Sequence, residues 1–532
     1  MIFNNKLKKI VLTVLSVFVI FSAFGQRISP LQQRKLSEVL SFISQLYVDT
    51  INDNKLTEAA IRAMLEELDP HSTYTAKEEV QRMREPLEGS FEGIGIHLQM
   101  IKDTANVMQT VSGTPAEKVG MLTGDKVIYI NGELVAGVKV LATDISKKLR
   151  GPKGTSVDVG VLRGNERLDF KIIRDKIPVL SIDVYYMLTD KIGFIKVNNF
   201  GATTANEFKE AVKKLKTQGM EDLVLSFEGN GGGLLTAAIS IIDDFLGENK
   251  LAVYTEGINS PRNEAKTTAV GEFEKGRVVV LINEYSASAS EIVSGALQDW
   301  DRAVLVGRRS YGKGLVQRQI PLVDSSLVRL TIAHYYTPTG RSIQKSYNKG
   351  SKDYGMDIVN RLKNGELMHP DSIHFDKSLQ YRTKIQGRTV YGGGGIMPDV
   401  FVPLDTIENT LYHRKIVAKG VTNRFVLQYI NGNRAKLEQK YPTFSQFKKE
   451  FEVTDELVQQ LVKDAEKEGV AFDKKEFDRS KRKIKLQLKA LIANNIWGPN
   501  EAQQVFDTDS KTIKRAIEIL TTEGAYDKIL MN

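Results

Sequence analysis

Two short segments of the 532-residue chain carry residue types suited to acyl chemistry. The first is Asn283-Glu284-Tyr285-Ser286-Ala287-Ser288-Ala289-Ser290-Glu291, directly after the apolar run Val278 to Ile282. That run reads as a buried strand. Ile292, Val293, Ala296, Leu297 and Trp300 then fall on one face of a helix. Small residues at a strand-to-helix turn let a hydroxyl stand beside the free N–H groups of the helix start, where a developing negative charge is stabilised. A Ser/Ala turn is also an ordinary helix cap, so the segment alone leaves both readings open. The second segment is Gly307-Arg308-Arg309-Ser310-Tyr311-Gly312-Lys313-Gly314. It begins like a phosphate-binding loop, but that loop needs Ser or Thr after its Lys, and then a helix. Here Gly314 follows Lys313, and Leu315 to Pro321 reads as a strand, which argues against ATP. A Lys made neutral near pH 7 by burial can instead serve as base to a Ser hydroxyl.

Composition narrows the alternatives. There is no cysteine, which excludes disulfides, a Cys nucleophile and Cys-ligated metal centres. The six histidines form no clear Ser–His–Asp set. His369 and His374, with Asp371 between, are the one candidate metal pair, and in a polar loop they read as surface residues; no metal or organic cofactor is expected. The net charge of +9 is spread over 74 basic and 65 acidic residues. A balance so mixed in sign makes nucleic-acid binding the weakest class, and no nucleic-acid partner is expected. Hydrophobic residues at 41% and charged residues at 26% allow more than one globular core.

The elements that must position these segments follow from periodicity. Lys6, Lys8 and Lys9, then the apolar run Ile10 to Phe24, then small residues at Ala23 and Gly25 form the three parts of a secretory signal. The expectation is an exported chain, periplasmic or cell-envelope associated, cut before Gln26 and without a stable membrane span. Leu36, Val39, Leu40, Ile43 and Leu46, and again Ile61, Met64, Leu65 and Leu68, recur at helical spacing. Residues 86–178 are glycine- and strand-rich. From 179 to 405 strands alternate with helices, with Ile192–Val197, Leu223–Phe227, Val278–Ile282 and Ala303–Val306 as strands, the pattern of an α/β core. Residues 406–532 read as a helical region with solvated charge runs.

Phe91-Glu92-Gly93-Ile94-Gly95-Ile96 puts two glycines before a strand. Such a backbone nest can hold a carboxylate, and the strand edge beyond can pair with a peptide. With Thr114-Pro115-Ala116-Glu117, Gly124-Asp125-Lys126-Val127-Ile128 and Leu149-Arg150-Gly151-Pro152 in order, the segment resembles a bacterial, protease-associated PDZ domain. That resemblance implies that Gly93, Ile94, Gly95 and Ile96 receive a peptide's C-terminus. Arg150 is either a sensor of that carboxylate or a surface charge.

The wider set of blocks resembles the carboxyl-terminal processing peptidases, or tail-specific proteases. These are Asp69-Pro70-His71-Ser72-Thr73-Tyr74, Ser286 to Glu291, Tyr311 to Gln317, Tyr336-Thr337-Pro338-Thr339-Gly340-Arg341 and Gly394-Gly395-Ile396-Met397-Pro398-Asp399. The resemblance covers residues 35 to 405. It implies a ClpP/crotonase-like α/β protease core with an inserted β-rich PDZ domain, an N-terminal helical segment (26–85) and a C-terminal helical region. It also implies Ser288 as nucleophile, Lys313 as base, Gln317 as the residue orienting the amine, and the N–H groups of Gly232 and Ala289 as the oxyanion hole. Expected partners are proteins or peptides with exposed C-termini and, in a homodimer, a second copy. One departure stands out: the family's Asp-Leu-Arg-x-Asn-Pro-Gly-Gly is here Ser226-Phe227-Glu228-Gly229-Asn230-Gly231-Gly232-Gly233. The alternative function is therefore a weakened pseudo-peptidase acting as a PDZ scaffold.

Overall fold

The computed structural model describes residues 28–531 except 269, 270 and 375. The expected leader, residues 1–25, lies outside the described residues. The centre of the molecule is a six-stranded sheet ordered Val184–Met187, Ile192–Lys196, Asp222–Ser226, Val278–Ile282, Val304–Gly307, Val400–Phe401. The first pair is antiparallel and the rest are parallel. Its inner strands are apolar on both faces, as a sheet covered on both sides demands. Leu223, Leu225, Val278, Val280 and Ile282 face the helices Thr204–Thr217, Leu235–Asp243 and Ala289–Asp299. Val224, Val279, Leu281, Val304 and Val306 face the other way.

The second face is covered by helices from the end of the chain. The helices of the C-terminal region contribute to two hydrophobic cores. Helices from Leu411–Ala418 to Lys474–Ile496 share a core of their own, built on Phe425, Ile430, Leu461, Ile484 and Leu488. Beyond Gly498 the chain returns to the protease sheet. Ile513, Ala516, Ile519 and Leu520 of helix Lys511–Thr521, with Tyr526, pack on the second face. The helical period of 406–532 was legible, but the partner of each apolar stripe was not.

A second, antiparallel sheet joins Thr73–Thr75, Leu327–Tyr336, Leu251–Gly257 and Ser260–Lys266, with Leu315–Pro321 paired on Leu327–Tyr336. The PDZ insert is a separate six-stranded sheet with Ile96–Ile101 at its edge. Its entry strand Ser90–Gly93 pairs with its exit strand Asp175–Pro178, which clasps the insert at its base. At the N-terminus, helix Pro30–Leu46 buries none of its residues, and Leu36, Val39, Leu40 and Phe42 are exposed. The span 26–85 also departs from a purely helical reading, because strand Thr73–Thr75 precedes helix Lys77–Glu88.

If the last helices complete the protease core, Leu520→Ala should cost about 2–5 kcal/mol in urea unfolding. Truncation after residue 498 should leave the protease core unfolded. A truncated chain that retains the parent melting transition would show these helices to be an appendage.

Candidate active site

Three serines occupy the turn after Val278–Ile282, and their hydroxyls have different surroundings. Ser286 Oγ donates to Phe227 O (2.8 Å) and accepts from Asn283 N–H (2.9 Å). Ser290 Oγ donates to Asn230 O (2.9 Å). Both residues are fully buried. Ser288 is the half-exposed one, and it lines a cleft of about 410 Å³. Its φ of +55° is unusual for a residue with a side chain, and such strain recurs at exposed nucleophile turns.

The turn is tied to the Lys313 loop by one carboxylate. Glu291, three residues into helix Ala289–Asp299, is completely buried. Its Oε2 accepts from Ser288 N–H and Lys313 N–H, each at 2.9 Å. Its Oε1 accepts from Gly312 N–H (2.7 Å) and Ser310 Oγ–H (2.5 Å). Burial pushes its pKa up, and the four donors oppose that rise. The Tyr335 hydroxyl lies 2.6 Å from Lys313 O and 3.2 Å from Ser288 O, holding the same two residues by their carbonyls.

Lys313 lines the cleft beside Ser288. Burial, and then repulsion from Arg329, lower its pKa to about 8, against the pull of Glu291 and Asp69. An amine with that pKa is neutral in a useful fraction near pH 7, as a general base requires. His71 is near enough to feel Lys313, but burial holds its pKa at about 4, so it stays neutral, with its Nε2 2.8 Å from the Tyr354 hydroxyl.

The expected third member is placed differently. Gln317 lines the cleft, but its Nε2 donates to Thr331 Oγ1 (3.3 Å), and among the described residues no bond joins it to Lys313. The cause is strand register: Gln317 lies directly opposite Thr331 beside a bulge, within reach of that hydroxyl. Thr331 Oγ1 in turn donates to Asp69 Oδ1 (3.0 Å), which also accepts from the His71 and Ser72 amides.

The oxyanion donors are close together but not both free. Gly232 has φ +101°, and a Cβ there would lie 2.8 Å from Ser288 Cβ and 2.9 Å from Ala289 N. Only glycine leaves that space open for substrate. The Ala289 amide is in the first turn of its helix. The Gly232 amide, however, donates to Asn230 Oδ1 (2.8 Å). This is an Asx turn, in which a side-chain oxygen captures the N–H two residues on. The expected pair of donors is therefore reduced to Ala289 in this conformation, until the Asn230 side chain releases Gly232.

Asn230, Glu291 and Tyr335 were not assigned roles from sequence. Asn230 is fully buried and holds the loop through Nδ2 to Val197 O (2.8 Å) and through its carbonyl to Ala287 N–H (3.0 Å). The altered loop has its own support. Glu228, where the family has Arg, accepts from Thr512 Oγ1 (3.3 Å) of the C-terminal helix and faces the charge of Arg308. Arg308 is itself bound by Glu284 at 2.7 Å.

In the PDZ insert, Gly95 has φ +86°, and a Cβ there would collide with Thr114 Oγ1 at 2.3 Å. Ile94 is buried, and its carbonyl accepts from Ala116 N–H (2.9 Å). Gly93 ends the entry strand, and Ile96 opens the edge strand that a peptide would extend. Arg150 is engaged elsewhere. Its guanidinium pairs with the Glu85 carboxylate and stacks on the Phe91 ring, 4.4 Å from the centroid. Glu85 belongs to helix Lys77–Glu88, whose Met83, Pro86 and Leu87 wall the cleft that Ser288 and Lys313 line. His369 and His374 are exposed.

Fold and site together define a serine peptidase with a PDZ insert. Residues 191–352 match Peptidase family S41, residues 93–173 a PDZ domain, and residues 23–79 the activating protease CtpB N-terminal domain. Residues 412–498 match a family of unknown function. A carboxy-terminal-processing protease of Bartonella bacilliformis is 37% identical over 59% of this chain and 73% of its own length. A probable CtpA-like serine protease of Staphylococcus aureus is 34% identical over 64% of this chain and 69% of its own. Among solved structures, the photosystem II D1 C-terminal processing protease is 23% identical, covering 69% of this chain and 87% of that one, with a TM-score of 0.36. The chain belongs to the S41 family of C-terminal processing serine peptidases.

With Lys313 as base, kcat/KM should rise as pH passes through about 8. Glu291→Gln removes a negative charge that raises the Lys313 pKa, so its limb should move to lower pH. Its plateau should fall on the order of 100-fold, because the clamp is lost. An activity profile flat across that range would exclude Lys313.

Proposed function

We propose that this peptidase is an exported endopeptidase that captures chain ends through its PDZ domain and cleaves by a Ser288–Lys313 dyad. The observation that carries the reading is the Glu291 carboxylate, one oxygen of which holds the amides of both residues on the wall of one cleft. Neutral Lys313 takes the proton of Ser288 Oγ as the oxygen bonds to the scissile carbonyl carbon. The oxyanion meets the Ala289 N–H, joined by that of Gly232 once Asn230 lets go. Protonated Lys313 delivers its proton to the departing amine as the C–N bond breaks. Water, deprotonated by Lys313, then attacks the acyl ester and frees Ser288.

Ser288→Ala and Lys313→Ala should each reduce cleavage of an unfolded protein by at least about 1,000-fold while circular dichroism is unchanged. Sequencing the product ends fixes the cleavage sites. Purified Ser288→Ala that still cleaves would end this reading. The occupied Gly232 amide favours the second reading, a PDZ scaffold with weakened chemistry. Covalent labelling of Ser288 by a serine-reactive phosphonate separates the two, since a scaffold would not react.

The N-terminal Lys6-to-Gly25 pattern supports export, and a secreted chain beginning at Gln26 would verify it. The exposed apolar face of helix Pro30–Leu46 supports a homodimer. Leu36→Glu with Phe42→Glu should then halve the sedimenting mass; an unchanged mass would place the interface elsewhere or remove it.

A further inference from the structure

The buried and half-buried arginines of the protease core have anionic or carbonyl partners, with one exception. Arg308 pairs with Glu284, Arg309 with Glu366, Arg341 with Asp299, and Arg388 with both Asp301 and Asp399. Arg302 reaches the carbonyls of Phe245 and Phe273. Arg329 is half-buried, and no carboxylate pairs with it among the described residues; its buried Nε has no acceptor. A desolvated cation without a partner is costly, and folded chains seldom keep one without a use.

Its position indicates the use. On strand Leu327–Tyr336, Arg329 lies opposite Gln319, and two residues along, Thr331 lies opposite Gln317. Alternation along a strand puts these four side chains on one face. Arg329, Gln317 and Gln319 all line the cleft that holds Ser288 and Lys313. The remaining wall is largely apolar, with Leu87, Leu234, Ile292 and Val316. Apolar walls lower the local dielectric and strengthen an ion pair formed inside.

We propose that Arg329 is a specificity-determining residue that binds a carboxylate of the substrate inside the catalytic cleft. The carboxylate comes either from an acidic side chain near the scissile bond or from a short chain end. A guanidinium suits either, since it takes a carboxylate by two parallel N–H donors. Arg329 also repels a proton from Lys313. A role confined to that repulsion would treat all substrates alike, and this separates it from a binding role.

The inference rests on the Ser288–Lys313 reading of the same cleft. Its test uses the full chain and two pairs of peptides. One pair has amidated ends and carries Glu or Gln beside the cleavage site. The other is short and uncharged, with a free or an amidated C-terminus. The ratio of kcat/KM within a pair is compared for wild type, Arg329→Gln and Arg329→Lys. Because each ratio belongs to one enzyme at one pH, a change in Lys313 basicity cancels. Wild type should favour the carboxylate member of at least one pair on the order of tenfold. Arg329→Gln should bring that ratio to about one, and Arg329→Lys should keep part of it. The pair that responds identifies the source. A wild-type ratio near one in both pairs overturns the proposal, as does a preference that survives Arg329→Gln and so belongs to the PDZ domain. Peptide binding to Ser288→Ala, with and without Arg329→Gln, gives the same comparison without catalysis. It also covers the case in which Ser288→Ala still cleaves, which would defeat the dyad reading and leave the Arg329 result intact. Should Arg329→Gln fail to fold, Arg329→Lys in the same binding assay decides, by weaker or equal preference.

Discussion

The Glu291 carboxylate is the constraint on which the rest of the site depends. Its origin is ordinary helix-end chemistry: a Glu at the third helical position reaches back to the N–H of the capping residue, here Ser288. What is added is a second load. The same oxygen takes the Lys313 amide, and the other oxygen takes Gly312 and Ser310. A buried carboxylate is unfavourable unless donors surround it, and four do. The loop must therefore come close with bare backbone. Gly312 allows this, since a Cβ there would press on Gly395 N and Lys345 Cβ at 3.1 Å. The start of one helix thus fixes the backbone of both Ser288 and Lys313.

That loop and turn stand on a sheet whose second cover comes from the far end of the chain. Helix Lys511–Thr521 buries the apolar face made by Val224, Val279, Leu281, Val304 and Val306. Its Thr512 also donates to Glu228, in the loop that carries Asn230 and Gly232. An acidic residue is admissible at 228 because this helix and Arg308 meet it there. On the opposite side, helix Lys77–Glu88 touches two sites at once. Glu85 holds Arg150 of the PDZ insert, and Met83, Pro86 and Leu87 wall the cleft. One short helix therefore meets both the PDZ insert and the cleft.

The sequence made legible what periodicity and local motifs encode. The continuous run Val278–Ile282, the helix after Ser288 and the strand after Lys313 all stand where the pattern places them. The residues meant to line one cleft, Ser288, Lys313, Gln317, Gly232 and Ala289, do line one cleft. What a linear pattern cannot hold is competition for a hydrogen bond. Gln317 is taken by Thr331 because strand register sets them opposite, and Gly232 by Asn230 because an Asx turn is locally available. Arg150 is taken by Glu85, 65 positions earlier. Glu291 was in view as part of a motif, but its function appears only when residues 310 to 313 are folded against it. The tail is helical, as its period indicates, but amphipathic stripes show that a partner exists without saying which surface it is.

The electrostatics of Lys313 show how these parts constrain one another. The carboxylate that holds the Lys313 amide also pulls the Lys313 pKa upward, toward a protonated amine. Asp69 adds to that pull. Position and basicity therefore conflict, and geometry alone would give a well-placed cation. Burial is the larger correction, and Arg329 is the second. A cation serves only if no nearby carboxylate cancels it, and burial is the sole influence on Arg329's own pKa. Among the described residues no carboxylate pairs with Arg329, so its charge acts undiminished on Lys313. The same arrangement leaves a half-buried guanidinium on the wall of the cleft that Ser288 and Lys313 share.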